Sequence, residues 1–253
     1  MIRTLFLCTM ALVIFASCSK EETPILTDDL TLQKYLDINN DLEIDELIAC
    51  AGGKPDGFLG QAQSPSSVFF LPIEGAFDFH YFESTQVDDL NNLSLYKTKT
   101  LEHIPVFNGF LRRFLNTQFE GERMGIVTFR TPGKLHMCNP IRQKNNVKPT
   151  EINESLLVLE ENGLNPKFIW QDGTIEENAI YFQVISDENN NLISGTYTFE
   201  KDFTFYDLDN VVLNVTPTEN PTLESGKNYK FTLMGVSLDN WVNLLIEKEF
   251  VTP

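Results

Sequence analysis

Positive charge is scarce in this chain: 19 Lys and Arg stand against 36 Asp and Glu, a formal −17 over 253 residues. Such a surface repels polyphosphate, which argues against nucleic acid and anionic head groups as partners. Divalent cations, cationic partners, neutral glycans or plain solubility remain compatible with it. Histidine is scarcer still, with three residues, His80, His103 and His136. The four cysteines are Cys8, Cys18, Cys50 and Cys138, and none forms a C-x-x-C redox pair. Hydrolase signatures such as G-x-S-x-G and H-E-x-x-H are missing, as is a phosphate-cradling glycine loop. The acidic pairs Asp88-Asp89 and Glu176-Glu177 sit in polar stretches, without the apolar surroundings that would raise a carboxyl pKa for acid catalysis. No enzyme, cofactor or metal is expected on these grounds.

The first residues carry an address. Arg3 gives a basic start, and Leu5 to Ala16 is then an almost unbroken apolar run. That run falls short of the ~20 residues a spanning helix needs, and no later segment reaches that length either. A basic start, a short apolar core and small residues at its end describe a secretory signal peptide over residues 1–17. Phe15-Ala16-Ser17-Cys18 resembles a lipobox, which implies cleavage before Cys18 and acylation of its thiol and amine. The membrane is then reached through lipid alone. Ser19-Lys20-Glu21-Glu22 resembles the lysine-plus-acidic tetrads with which Bacteroidota send lipoproteins to the outer face of the outer membrane. The plainer alternative is a polar tether, residues 18–30, that keeps an anchored domain soluble.

Twenty Phe and seven Tyr recur in short alternating runs, which points to strands. The exception is Thr27 to Leu47, where Leu32, Tyr35 and Leu36 have helical spacing and Thr27 or Asp28 could cap. Further on, Leu47–Cys50, Val68–Leu71, Phe77–Phe82, Gly125–Phe129 and Lys134–Cys138 read as strands. Phe77, Phe79 and Tyr81 are expected on one face. Asn108-Gly109 predicts a hairpin with a type I′ turn, and Thr131-Pro132-Gly133 a second turn. Residues 143–155 are polar, and the domain boundary is placed there. The expectation is an all-β protein with two β-sandwich (immunoglobulin/fibronectin III-like) domains in tandem, residues 31–148 and 149–253.

Residues 156–251 resemble a fibronectin type III domain. Trp170 falls at that family's core tryptophan on the second strand, and Leu223, Gly226 and Tyr229 match its L-x-x-G-x-x-Y corner. The resemblance implies a fold that hosts spacers, adhesive modules and receptors, and it supplies no chemistry of its own. Taken whole, the chain resembles the two-domain lipoproteins of flavobacteria, a likeness of taxonomy and not of mechanism.

Several residues are candidates for more than packing. With Cys18 acylated, Cys50 and Cys138 remain as a pair, either bridged, with a stabilisation of about 3–5 kcal/mol, or as two buried thiols. Trp241 lies in the turn between the last two strands, where an aromatic can stack on a sugar or fold back into a core. Asp37, Asn39 and Asp41 resemble the start of a calcium loop, but Leu42 replaces its glycine and Ile48 its bidentate acid. Asp78 with His80, and His136 with Cys138, share strand faces in a way that could meet at zinc, though such pairs arise in any strand. Arg112, Arg113, Arg123 and Arg130 are expected to pair with acids of their own domain ahead of any external anion. The function expected is a surface-displayed, non-catalytic adhesion or glycan-capture module. The alternative is a structural part of an envelope secretion or gliding assembly.

Overall fold

The computed structural model describes residues 29–55, 59, 65–116 and 121–253. The expected signal peptide, the lipidation site Cys18 and the tetrad Ser19–Glu22 lie outside the described residues. The helical stretch narrows to α1, Leu32–Ile38. Thr31 is its cap, accepting from the Lys34 amide at 3.3 Å through its hydroxyl, while Thr27 and Asp28 lie outside the described residues.

The first ten strands are β1 (Glu43–Leu47), β2 (Ala49–Gly53), β3 (Ser66–Phe70), β4 (Phe77–Ser84), β5 (Lys97–Thr98), β6 (His103–Val106), β7 (Leu111–Asn116), β8 (Arg123–Thr131), β9 (Lys134–Cys138) and β10 (Ile141–Gln143). They make two sheets. Sheet I runs β1-β9-β8-β4-β5 with β10 also on β8, and sheet II runs β2-β3-β7-β6. The remaining strands are β11 (Glu151–Ile152), β12 (Leu157–Glu160), β13 (Lys167–Trp170), β14 (Ile180–Asp187), β15 (Leu192–Thr198), β16 (Asp202–Thr204), β17 (Val211–Asn214), β18 (Asn228–Val236) and β19 (Val242–Val251). Sheet III runs β11-β19-β18-β14-β15-β17, and sheet IV runs β12-β13-β16.

The two halves repeat one topology. In each, a first short strand pairs parallel with the last hairpin strand, β1 with β9 and β11 with β19. The chain then changes sheets and pairs antiparallel with the next strand, β2 with β3 and β12 with β13. The run expected over Leu47–Cys50 is therefore divided at Ile48, where the chain crosses between sheets. Both halves are β-sandwiches of the immunoglobulin/fibronectin III kind. In the second, Trp170 is buried edge-on to Tyr181 at 5.4 Å. Gly226 takes a φ of 71°, and the Tyr229 hydroxyl accepts from the Glu224 amide at 2.9 Å, which closes the expected corner.

Two local expectations change. The hairpin at Asn108-Gly109 forms, but its loop holds four residues, since Val106 pairs with Leu111 and positive φ extends back to Phe107. In β4 the pairing jumps from Phe77 opposite Arg130 to His80 opposite Thr128, and Asp78 takes a φ of 58°. This bulge moves Phe77 off the face it was expected to share. Phe79 and Tyr81 pack inward against Phe129 and Phe114, while Phe77 lies exposed beside Arg130.

The sandwiches stack face to face, giving four layers. Val68 and Phe70 of β3 enter the core between sheets I and II. Phe69, between them, turns the other way and joins Leu111, Phe182, Val184, Tyr197, Met234 and Leu245 in a core between sheets II and III. Tyr181, Ile185, Phe231 and Leu233 alternate with those residues and fill the core between sheets III and IV. Because side chains alternate with period two, sheets II and III are each buried on both faces. The joining segment is held by both sandwiches. Thr150 donates its amide to Gly53 O at 2.8 Å and its hydroxyl to Val242 O at 2.7 Å, and it accepts from the Gly53 amide at 2.9 Å.

Candidate functional site: a groove between the sandwiches

The residues singled out in the sequence are mostly absorbed by the fold. Cys50 and Cys138 are free thiols. The expected disulfide is corrected by strand periodicity: Ala49 and Ala51 of β2 face the first core, so Cys50 between them points into the layer against the second sandwich. Cys138 lies on the other side of sheet II, inside the first sandwich, where its sulfur accepts from the Val127 amide at 3.1 Å. Burial pushes both thiols up to about 12, Cys50 with a small addition from Cys138.

Trp241, expected as a ligand-binding candidate, is fully buried. It does fold back, but into the neighbouring sandwich. Its ring belongs to the core between sheets I and II, its indole N–H donates to Lys148 O at 2.8 Å, and it bridges to Ala51. Its turn is fastened on either side, since Asp239 pairs with Lys144 at 2.6 Å and its carbonyl accepts from the Arg142 amide at 3.0 Å. No sugar can reach this ring without unpacking the first sandwich.

The calcium-like stretch is a helix end. Asp37 accepts from Gln33 at 3.0 Å, and Asn39 caps α1 by donating to Tyr35 O at 2.8 Å. The histidines are apart. His80 contacts Asp78 at 2.7 Å, His103 Nδ1 accepts from Arg112 Nε at 3.1 Å, and His136 stacks on Phe129 beside the Thr131 hydroxyl at 2.9 Å. Burial lowers the pKa of His103, with the Arg112 charge adding to it, and burial lowers that of His136. Burial alone would raise Asp78, but His80, Tyr35 and Arg130 together hold it below the usual carboxylate value. Among the described residues, no three His, Cys, Asp or Glu side chains are grouped to hold a metal ion.

The arginines divide. Arg123 pairs with Glu83 at 3.0 Å, Arg130 approaches Asp78 at 4.0 Å, and Arg112 bonds His103 and lies 5.2 Å over the Phe79 ring. Arg113 does otherwise. As the neighbour of Arg112 on β7 it points to the opposite face, with Leu111, towards sheet III. There it lines a groove of about 450 Å³ at one end of the seam between the sandwiches. Phe69, Val106 and Phe107 supply apolar walls, Met234 and Leu245 the facing wall, and Asn108 and Asn190 the mouth. The Asn108 amide donates across the seam to Asn189 O at 3.0 Å and to Asn191 Oδ1 at 2.8 Å, which joins the two turns that frame the opening.

Arg113 is only 7 % exposed. Its Nη2 donates to Leu59 O at 3.2 Å, its Nε has no acceptor, and no described carboxylate comes within ion-pair range. Burial pulls its pKa down, and the charge of Glu247 works against that. Glu247 is itself bonded to Lys230 at 3.1 Å. On β18, the buried hydroxyl of Thr232 also lines the groove without a partner. Sequence reasoning missed this site because it grouped Arg112 with Arg113. Adjacent positions in a strand never share a face, and that was the usable signal.

The fold is that of two stacked immunoglobulin/fibronectin III-like sandwiches. Among solved structures, the chain is similar to the FN1–FN3 domains of chicken CNTN1, with 8% identity over 84% of this chain and 68% of that one and a TM-score of 0.30. It is similar to a crystal structure of domains from titin, with 10% identity over 81% and 67% and a TM-score of 0.29. A third similar structure is the chicken interferon gamma receptor alpha chain, with 12% identity over 74% and 92% and a TM-score of 0.24. No protein-family model matches the chain. No curated protein gives a significant match.

Proposed function

We propose that this protein is a lipid-anchored, non-catalytic binding module of the bacterial envelope, displayed on the cell surface, that captures glycans in the groove between its sandwiches. The observation that carries the reading is the groove itself. It combines aromatic walls from Phe69 and Phe107, side-chain amides at Asn108 and Asn190, and a buried guanidinium with donors to spare. Apolar surface to meet a sugar ring and fixed polar groups to meet its hydroxyls are what a small glycan site requires. The address rests on the lipobox-like Phe15–Cys18 and the tetrad that follows. Lipid at Cys18 gives attachment to the membrane, and the acidic surface disfavours nucleic acid.

A glycan array probed with the mature protein tests the capture reading, and binding lost on Phe107→Ala supports it. A blank array removes it. Shaving intact cells with protease tests the address: digestion places the protein outside, and survival until the outer membrane is opened makes it periplasmic. One feature favours the second reading, a structural part of a secretion or gliding assembly. β17 is an edge strand of sheet III that leaves Val212 and Leu213 exposed, a form suited to pairing with a strand of another protein. A co-purifying envelope protein with no glycan affinity would select that reading.

A further inference from the structure

We infer that the groove selects a carboxylate-bearing sugar, of the uronic acid class, through Arg113; this rests on the glycan reading of the same groove. A guanidinium carries five N–H donors and stays charged at any physiological pH. Arg113 uses one donor on Leu59 O and leaves Nε without an acceptor. Burying a cation without a counter-charge is costly, and folded proteins seldom retain it without a use. Glu247, the carboxylate whose charge reaches Arg113, already pairs with Lys230 and makes no ion pair with the guanidinium. Among the described residues, the groove therefore holds one positive charge with no paired carboxylate, in a protein whose formal charge is −17.

That contrast defines the ligand. The protein's overall field does not draw anions in, so the anion must be recognised at short range. The planar fork of arginine matches a carboxylate with two parallel bonds. Thr232 adds a hydroxyl from the facing sheet, buried and equally without a partner. Two unsatisfied polar groups, from two different domains, line one cavity whose walls include Phe69 and Phe107. A sugar acid presents a carboxylate, hydroxyls and an apolar ring face on one residue, and so meets each of these features.

The test is calorimetric titration of the mature protein with a galacturonate oligomer and with its carboxyl-reduced galactose counterpart of equal length. The acidic oligomer should bind at least about tenfold tighter, the scale of a charge-assisted hydrogen bond. Arg113→Gln should abolish that difference. Thr232→Val should weaken the acidic oligomer several-fold without lowering Tm, because the hydroxyl it removes has no partner in the fold; this variant decides the matter if Arg113→Gln does not fold. Equal binding of both oligomers would leave glycan capture standing and overturn the selection of a carboxylate. Acidic binding untouched by both substitutions would overturn it as well, by locating the carboxylate elsewhere. Binding of neither oligomer, with other glycans bound, removes the inference alone, and a wholly blank glycan array removes it together with the function it rests on.

Discussion

The two sandwiches share a strand order and differ in what fills them. The second is dry and aromatic: Phe168 stacks on Phe231 at 4.0 Å between centroids, and Trp170 and Tyr229 complete it from its own chain segment. The first is part polar. Glu83, partly buried, accepts from Lys99 at 3.1 Å, from Arg123 at 3.0 Å and from Asn116 at 2.9 Å. Tyr81 donates to the same carboxylate at 3.2 Å and is bonded by Gln143, which in turn accepts from Ser66 at 2.8 Å. Both halves place a positive-φ glycine three residues before a buried residue of the corner strand, Gly121 before Met124 and Gly226 before Tyr229. Only the second uses a tyrosine there. The topology is thus set by connectivity and turns, while each interior is satisfied by whatever the alternating positions supply. The first sandwich is also the dependent one, because its core includes Trp241 from the other.

Trp241→Ala breaks this comparison hardest. It should cost about 3–5 kcal/mol as a core cavity, and the loss should fall on the first sandwich. Trp170→Ala should cost a similar amount, about 3–5 kcal/mol, within the second. Denaturant unfolding gives the magnitudes, and amide exchange by segment shows where each falls. Loss of protection confined to β18 and β19 after Trp241→Ala would refute the dependence.

Glu83→Gln tests the polar interior. It removes the carboxylate charge that Lys99 and Arg123 share, at a cost of roughly 3 kcal/mol. Replacing Glu83 and Lys99 together should recover part of that loss in a double-mutant cycle. Tyr229→Phe is gentler. It removes one hydrogen bond at the corner and should cost about 1 kcal/mol by the same unfolding assay.

The smallest effect is titration. All three histidines are in the first sandwich, and His103 and His136 have lowered pKa values in the fold. Below the ordinary histidine pKa of about 6.5, the unfolded chain binds protons that the folded rings resist, so stability falls as pH falls. Asp78, Asp172 and Asp239 act at lower pH. Their stabilisation is present above the ordinary carboxylate pKa and is lost as pH drops through their depressed folded values. Between about pH 7 and 5.5, then, exchange protection should weaken in the first sandwich and hold in the second. Equal weakening in both would count against the assignment.

Much of the architecture was legible in the sequence. β9 falls on the predicted Lys134–Cys138, the glycine turns are in place, and the Leu223–Tyr229 corner forms as the resemblance implied. What was not legible is the seam. A strand such as Ser-Ser-Val-Phe-Phe, buried at every position, announces two covered faces but not what covers them. Trp241 and Cys50 each kept two readings for that reason, since their surroundings come from the other half of the chain. The bulge at Asp78 was hidden too, because strict alternation assumes unbroken pairing. Arg113 was visible but grouped by sequence adjacency, when the strand period assigns it the opposite face from Arg112.

The placement of Trp241 also bears on the order in which the chain can mature. Synthesis runs from the N-terminus, yet the first sandwich lacks part of its core until Trp241, in the β18–β19 hairpin of the second, has been made. Of the two sandwiches, the earlier to emerge is the later to be sealed. A chain cut short before its final hairpin would lose more than the second domain: it would leave an unfilled core and a bare sheet II in the first, which is surface that chaperones and proteases recognise. The position of one indole makes the integrity of the last strands a condition for the survival of the first.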